Sequence, residues 1–402
     1  MNCNSGRGAS RACRCGSLTP VRLGWIPLAL LIGCEGEGPP PRYSLDTATS
    51  IDASQTELLV LRDETGGIEA AVAPSKGGEL SGLRVRYGGD WIETLQLARD
   101  YTPREGFMGK GPFLWPATGR NFPPDLAERR QAGEVFNAGA YEHGGERRPM
   151  PIHGFARDLP WRLAESGADG SSVRAILSLR DSPETRRMYP FGFLCTVEYL
   201  VADGALEMRY VVGAAVDNSE PMFFSIGNHI TFVAPLVDGS DPLKMVLVSP
   251  ASLEILKTGY GIPTGETRPI SYADGISLGD YPPLAATSLT GYPEGQDPYI
   301  EYLDPAGLTL RIAHHASEIP GPPVILFNVW GDVRNGFFSP EPWVGLQNSL
   351  VQRQGLIYLD PGEDFRWTVR VTIRVVIPLP QVMALRGCTP RIRGEMHQVG
   401  TN

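Results

Sequence analysis

The chain has 402 residues, 42% hydrophobic and 20% charged, a balance that suits a folded body with a large core and excludes a disordered or fibrous one. Its net charge of −9 gives no support for nucleic-acid binding, which asks for a basic face. The 47 glycines and 36 prolines fit many short strands joined by turns, not a bundle of helices.

Taken from the N-terminus, residues 1–33 read as an export signal of the lipoprotein type. Arg7, Arg11, Arg14 and Arg22 precede the apolar run Ile26 to Ile32, which is too short to span a bilayer. The run ends in Leu31-Ile32-Gly33-Cys34, which resembles a bacterial lipobox, so Cys34 is expected to carry lipid and to become the new N-terminus. Loss of residues 1–33 leaves 32 basic against 45 acidic residues, a net charge of −13. Membrane association is therefore expected only through lipid on Cys34, with the protein exported and anchored at the periplasmic or outer surface. Residues 34–54, with Pro39-Pro40-Pro41 and then small polar side chains, are expected to form a flexible tether.

Residues 55–378 read as one all-β domain. Leu206, Met208, Tyr210 and Val212 alternate with Glu207, Arg209 and Val211; Leu308, Leu310 and Ile312 alternate with Thr309 and Arg311; Trp367 to Val375 alternate likewise. A period of two puts one set of side chains in a core and the other toward solvent. Asp203-Gly204, Pro305-Ala306-Gly307 and Asp360-Pro361-Gly362 are the turns that precede these strands. The best helical window is short, from Pro124 to Gln131. Cys195 lies in an apolar strand pattern and is expected as a buried small hydrophobe, with a bond to Cys388 the alternative. Residues 379–402 read as a surface tail.

Three segments stand out for chemistry: Pro151-Ile152-His153-Gly154-Phe155-Ala156-Arg157, Gly227-Asn228-His229-Ile230-Thr231-Phe232 and Glu341-Pro342-Trp343. Histidine titrates near neutrality and a buried carboxyl can be tuned to do so, which suits a pair that moves one proton on and another off a small molecule. With Lys76-Gly77-Gly78-Glu79, Pro116-Ala117-Thr118-Gly119-Arg120 and Tyr189-Pro190-Phe191, they occur in an order that resembles the aldose 1-epimerase, or galactose mutarotase-like, family. The resemblance runs from about Leu58 to Val375. It implies a large antiparallel β supersandwich and interconversion of the α and β anomers of an aldose, without cofactor or metal.

By that resemblance Glu341 is the base, His229 the acid, and His153 a partner of the ring oxygen. Arg120 and Asp297 would bind sugar hydroxyls, with Trp343 and Phe155 lining the site. Residue by residue, each also has a structural reading: Asp297 before Pro298 suits a turn, and Trp343 and Phe155 suit a core. His229-Ile230 departs from the family's frequent proline after the second histidine. A sugar-binding protein on the same fold, or an enzyme for hexose 6-phosphates, are the alternatives. His314 and His315 are adjacent in a strand and point to opposite faces, so they cannot readily share a metal. No nucleophile elbow, P-loop or dinucleotide fingerprint occurs.

Overall fold

The computed structural model describes residues 41–104, 108–123, 125, 138–259, 261–317 and 325–375. Residues 1–33, Cys34, the helical window apart from Asp125, Cys388 and residues 379–402 lie outside the described residues. The sheets of the described body are antiparallel, with two short helices, Pro183–Met188 and Ser349–Gln352, beside them. Strands Tyr43–Thr49, Glu57–Asp63, Ile68–Ala73, Glu79–Tyr87 and Asp90–Glu93 form a five-stranded sheet in chain order.

The first of these strands corrects the expected tether. Tyr43–Thr49 pairs along its whole length with Glu57–Asp63. Tyr43 is buried, and Arg42 donates to both carboxylate oxygens of the buried Asp63 at 3.0 and 3.2 Å. An edge strand takes its hydrogen bonds from its neighbour's backbone and turns much of its surface to water, so its polar composition concealed it.

The three alternating segments become neighbours in the middle of a nine-stranded sheet. Asp364–Val375 lies between Leu308–Ala316 and Ala205–Ala214, with Val371 opposite Ile312 and Tyr210 opposite Trp367. Leu206, Met208, Tyr210 and Val212 are buried, as are Trp367, Val369 and Val371; the pattern fades at Val375, which is exposed at the strand end. Cys195 is a buried free thiol in Phe193–Ala202.

A second large sheet faces this one. Its eight strands run in the order Pro263–Pro269, Leu253–Lys257, Thr287–Thr290, Ile325–Asp332, Phe337–Val344, Ile226–Asn228 and Phe113–Leu114, with Phe232–Val233 paired to Phe337–Val344 at the side. Aromatic rings bridge the two layers. Phe113 stacks on Tyr210 with ring centroids 4.5 Å apart, Tyr302 stacks on Phe338 at 5.3 Å, and His314 meets Phe327 edge-on at 5.0 Å. Burial of rings of this size is worth roughly 1.5–3 kcal/mol each, and the pairing geometry adds about 1 kcal/mol. This second sheet carries Glu341 and Trp343, and His229 follows directly on its strand Ile226–Asn228.

Candidate active site

Each of the three segments is held by the sheet or by a strap laid against it. In Phe337–Val344, alternation puts Ser339, Glu341 and Trp343 on one face. Gly227 pairs with Trp343, and a Cβ there would lie 2.5 Å from the indole ring, so glycine leaves room for it. His229 follows directly, with its N–H donated to Pro112 O at 3.0 Å.

The strap is the turn around His153. Its N–H donates to Gly119 O at 2.8 Å, and Gly119 N–H donates back to Nδ1 of the imidazole at 3.0 Å. The neutral ring therefore carries its proton on Nε2. Gly154 has φ 72°, and a Cβ there would sit 2.1 Å from Trp115 O, which accepts the N–H groups of Phe155 and Ala156 at 3.1 Å. Only glycine lets the two backbones come this close.

The result is a compact constellation. His229 Nε2 lies 3.5 Å from Oε1 of Glu341, and the His153 and His229 rings meet at right angles with centroids 5.5 Å apart. Trp343 lies 6.1 Å from His153, and Trp330 5.7 Å from His229. His229 Nδ1 is 3.2 Å from the Thr231 hydroxyl, which is 2.7 Å from the Ser339 hydroxyl. Asn328, directly opposite Glu341 in the next strand, donates to its Oε1 at 3.0 Å. Oε2 is buried and makes no well-formed hydrogen bond, although the Trp343 indole N–H is near enough to favour the charged form.

Burial dominates the electrostatics. It raises the Glu341 carboxyl to about 8, against the pull of Asn328, Lys257 and Trp343, and lowers His229 to about 3 with the help of Arg157. His153 is pushed well below its ordinary value by burial and by the charges of Arg157, His229 and Arg120. The proton shared by the central pair therefore rests on Glu341.

Glu341, His229, His153 and Trp343 thus converge, and Arg120 lies near enough to act on His153. Asp297 does not join them. Its carboxylate is 2.8 Å from Nδ1 of His315, and both side chains are exposed beside the nine-stranded sheet. An aspartate before a proline at a strand entrance serves the turn there. Phe155 does not line the site either; it is buried against Trp115, Tyr189 and Phe193, because the strap that presents His153 must itself be anchored in the core. His314 and His315 do point to opposite faces, buried and exposed. A surface depression of about 720 Å³ lined by Arg180, Asp181 and Glu363, among others, contains none of the site residues. Among the described residues no group of three or more His, Cys, Asp or Glu could hold a metal.

Sequence reasoning missed Asn328, Lys257 and Trp330, and gave Arg157, although it lies in the first chemical segment, no role. For Asn328 a signal exists: Asn335-Gly336 marks the turn of the hairpin, and its register sets Asn328 opposite Glu341. Lys257 comes from a strand two places away in the sheet, and nothing local marks it.

The chain matches the family model described as aldose 1-epimerase over residues 62–276. Similar solved structures include a galactose mutarotase-like protein from Clostridium acetobutylicum, with a TM-score of 0.65 and 18% identity over 83% of this chain and 99% of that one. Another is a protein from Synechocystis sp. PCC 6803, at 0.62 and 22% over 79% and 96%. A third is galactose 1-epimerase from Lactobacillus acidophilus NCFM, at 0.58 and 16% over 83% and 99%. At these identities the likeness is one of fold. A candidate glucose-6-phosphate 1-epimerase from Salmonella typhimurium is 25% identical over 122 residues, 30% of this chain and 40% of that protein, so the match spans less than half of this curated relative.

Proposed function

The chain belongs to the aldose 1-epimerase family, and from that premise we propose that it interconverts the α and β anomers of an aldose by acid–base ring opening and closure. The observation that carries this is the 3.5 Å contact between His229 Nε2 and the buried carboxyl of Glu341. Opening a pyranose takes a proton from the C1 hydroxyl and puts one on the ring oxygen; after rotation about C1–C2, closure reverses both transfers. Glu341 is the base and His229 the acid. A bound sugar draws the pair into that state: its C1 hydroxyl donates to Oε2, which has no well-formed partner, and its ring oxygen accepts from the imidazole, so hydrogen bonds favour carboxylate and imidazolium together. His153 supplies a second N–H at the ring oxygen, Arg120 donates to hydroxyls, and Trp343 offers an apolar wall.

The test is anomer exchange followed by NMR or polarimetry with a panel of free aldoses. Positioned acid–base groups contribute about 10²–10⁴-fold, so Glu341→Gln and His229→Asn should each lower the rate by that order while sugar still binds. Exchange near the wild-type rate in Glu341→Gln would remove the mechanism. Binding without exchange above buffer would instead make this a sugar-binding protein.

A second reading, an aldose 6-phosphate as substrate, is supported by the name of the Salmonella relative and by the charge of Arg157 beside both histidines. Including hexose 6-phosphates in the same panel decides between them by kcat/KM.

A further inference from the structure

The strand pair that presents Glu341 belongs to a longer polar chain that crosses four strands of the sheet. Lys257 Nζ donates to Oδ1 of Asn328 at 3.0 Å and to Ala286 O at 2.6 Å. The Ser288 hydroxyl donates to the same Oδ1 at 3.3 Å, and Asn328 Nδ2 donates to Glu341 Oε1 at 3.0 Å. Asn328 and Glu341 are both buried and are cross-strand partners.

An ammonium has donors and no acceptor. Facing Lys257, the Asn328 amide must therefore present its oxygen to the lysine and its NH₂ to the carboxyl. Rotated by half a turn, the amide would set NH₂ against ammonium and oxygen against carboxylate. The lysine thus decides which end of the amide meets Glu341, and its charge favours the ionised form of that carboxyl through the amide dipole. With Oε1 taken by Asn328 and facing His229, the oxygen left for a ligand is Oε2, which is buried without a well-formed partner.

We propose that Lys257 and Asn328 are positioning residues for Glu341, a donor-to-acceptor relay that fixes the carboxyl's orientation, reserves Oε2 for substrate and supports its negative charge. The relay rests on Glu341 acting as described above. The charged and titratable groups around the carboxyl are His229 on one side, with the His153 ring 5.5 Å beyond it, and Lys257 behind Asn328; Glu254 lies near Lys257 on its own strand, and Arg157 and Arg120 act on the histidines. Burial lowers Lys257 to about 8, against the pull of Glu341 and Glu254, which places its own titration in the same range as that of the group it supports.

The experiment is a ¹³C NMR titration of carboxyl-labelled glutamate in the whole protein, with Glu341→Gln to assign the signal, run beside the pH profile of anomer exchange. Lys257→Met keeps the stem and removes donor and charge. It should move the Glu341 midpoint upward by a pH unit or more, move the alkaline limb of the rate profile with it, and lower kcat about tenfold with KM changed less. Lys257→Arg should restore most of the rate. Should Lys257→Met fail to fold, Lys257→Gln, which keeps a donor and drops the charge, should give the same upward displacement. An unchanged Glu341 midpoint in a folded variant overturns the relay. Absence of exchange in the wild type would overturn the mutarotase reading alone, because the NMR midpoint reports the relay without turnover.

Discussion

Glu341 sits where a carboxylate is poorly solvated, and that placement links its chemistry to its cost. Raised from 4.5 to about 8, its folded form holds a proton that the unfolded chain has already released. Stability therefore falls as pH rises from 4.5 to 8, by on the order of 5 kcal/mol once the carboxyl is ionised. Glu341→Gln stays neutral and escapes this loss. It should be more stable than wild type by several kcal/mol at pH 9 and about equal at pH 4, measured by urea unfolding; equal stability at both pH values would show that the carboxyl is well solvated. The same values set the rate profile. The pair must hold one proton in total, which it does between about 3, where His229 gains a second, and about 8, where Glu341 loses the first. Once the buffer rate is subtracted, kcat/KM should be level across that range and fall above about 8. A rate that climbs through 8 would mean that carboxylate alone suffices, with His229 neutral throughout.

Among the elements, the strap from Pro151 to Arg157 does most to assemble the site, since it owes nothing to strand alternation. Gly154→Ala asks for a left-handed alanine, costing about 1–2 kcal/mol, and puts a methyl 2.1 Å from Trp115 O. Backbone must move, so the hydrogen bonds between His153 and Gly119 should be strained or lost. Destabilisation of at least 2 kcal/mol and a rate loss of tenfold or more are expected from unfolding curves and exchange rates; a variant within 0.5 kcal/mol of wild type would show the strap to be pliable. The legibility of the sequence divides along the same line. Long strands buried on one face announce themselves through period two, as in Ala205–Ala214 and Leu308–Ala316. Phe113–Leu114 and Ile226–Asn228 are two and three residues long and buried throughout, so no alternation marks them, although they pair where the site is built. Glu341, His229, His153 and Trp343 could be picked out because each lies in a motif. Lys257 could not, because its role comes from the order of strands in space. Asp297 was misplaced for the complementary reason: its position along the chain suited the site, while its strand belongs to the other sheet.

For the molecule as a whole, we propose that lipid on Cys34 decides where it works: mass spectrometry of the N-terminus should find acyl chains on that cysteine, with Cys34→Ala released as soluble protein. An unmodified N-terminus elsewhere would remove the anchor. Its resistance to acid follows from the buried groups taken together. His153, His229 and His314 are all held below 6.5 by burial. Below 6.5 the unfolded chain takes up protons that these rings refuse, so each makes stability fall as pH falls, by about 1.4 kcal/mol per pH unit. Glu341 and Glu79, raised to about 8 and about 7, act in the opposite sense and make stability fall as pH rises above 4.5. Between 4.5 and 6.5 the three histidines are opposed by Glu341 and Glu79, joined at the low end by Glu93 and Asp158, whose carboxyls burial also raises, so the two sets largely cancel. From 6.5 to about 8 the raised carboxyls act alone and stability declines; above that Lys257, which sheds its proton near 8 in the folded chain, opposes the trend. Below 4.5 the opposition from Glu341 and Glu79 ends, while Glu69, held low by Arg99 and Arg62, and Asp63, held low by Arg42, also begin to lose their ion pairs. Unfolding free energy measured across pH should therefore be nearly level from about 4.5 to 6.5, decline from there to about 8 and collapse steeply below 4.5. His314→Gln, which lies in the nine-stranded sheet and not in the constellation, should make the acid arm shallower by about one proton. A maximum at pH 8 or above, or an acid arm unchanged by that substitution, would show that the buried histidines do not govern it.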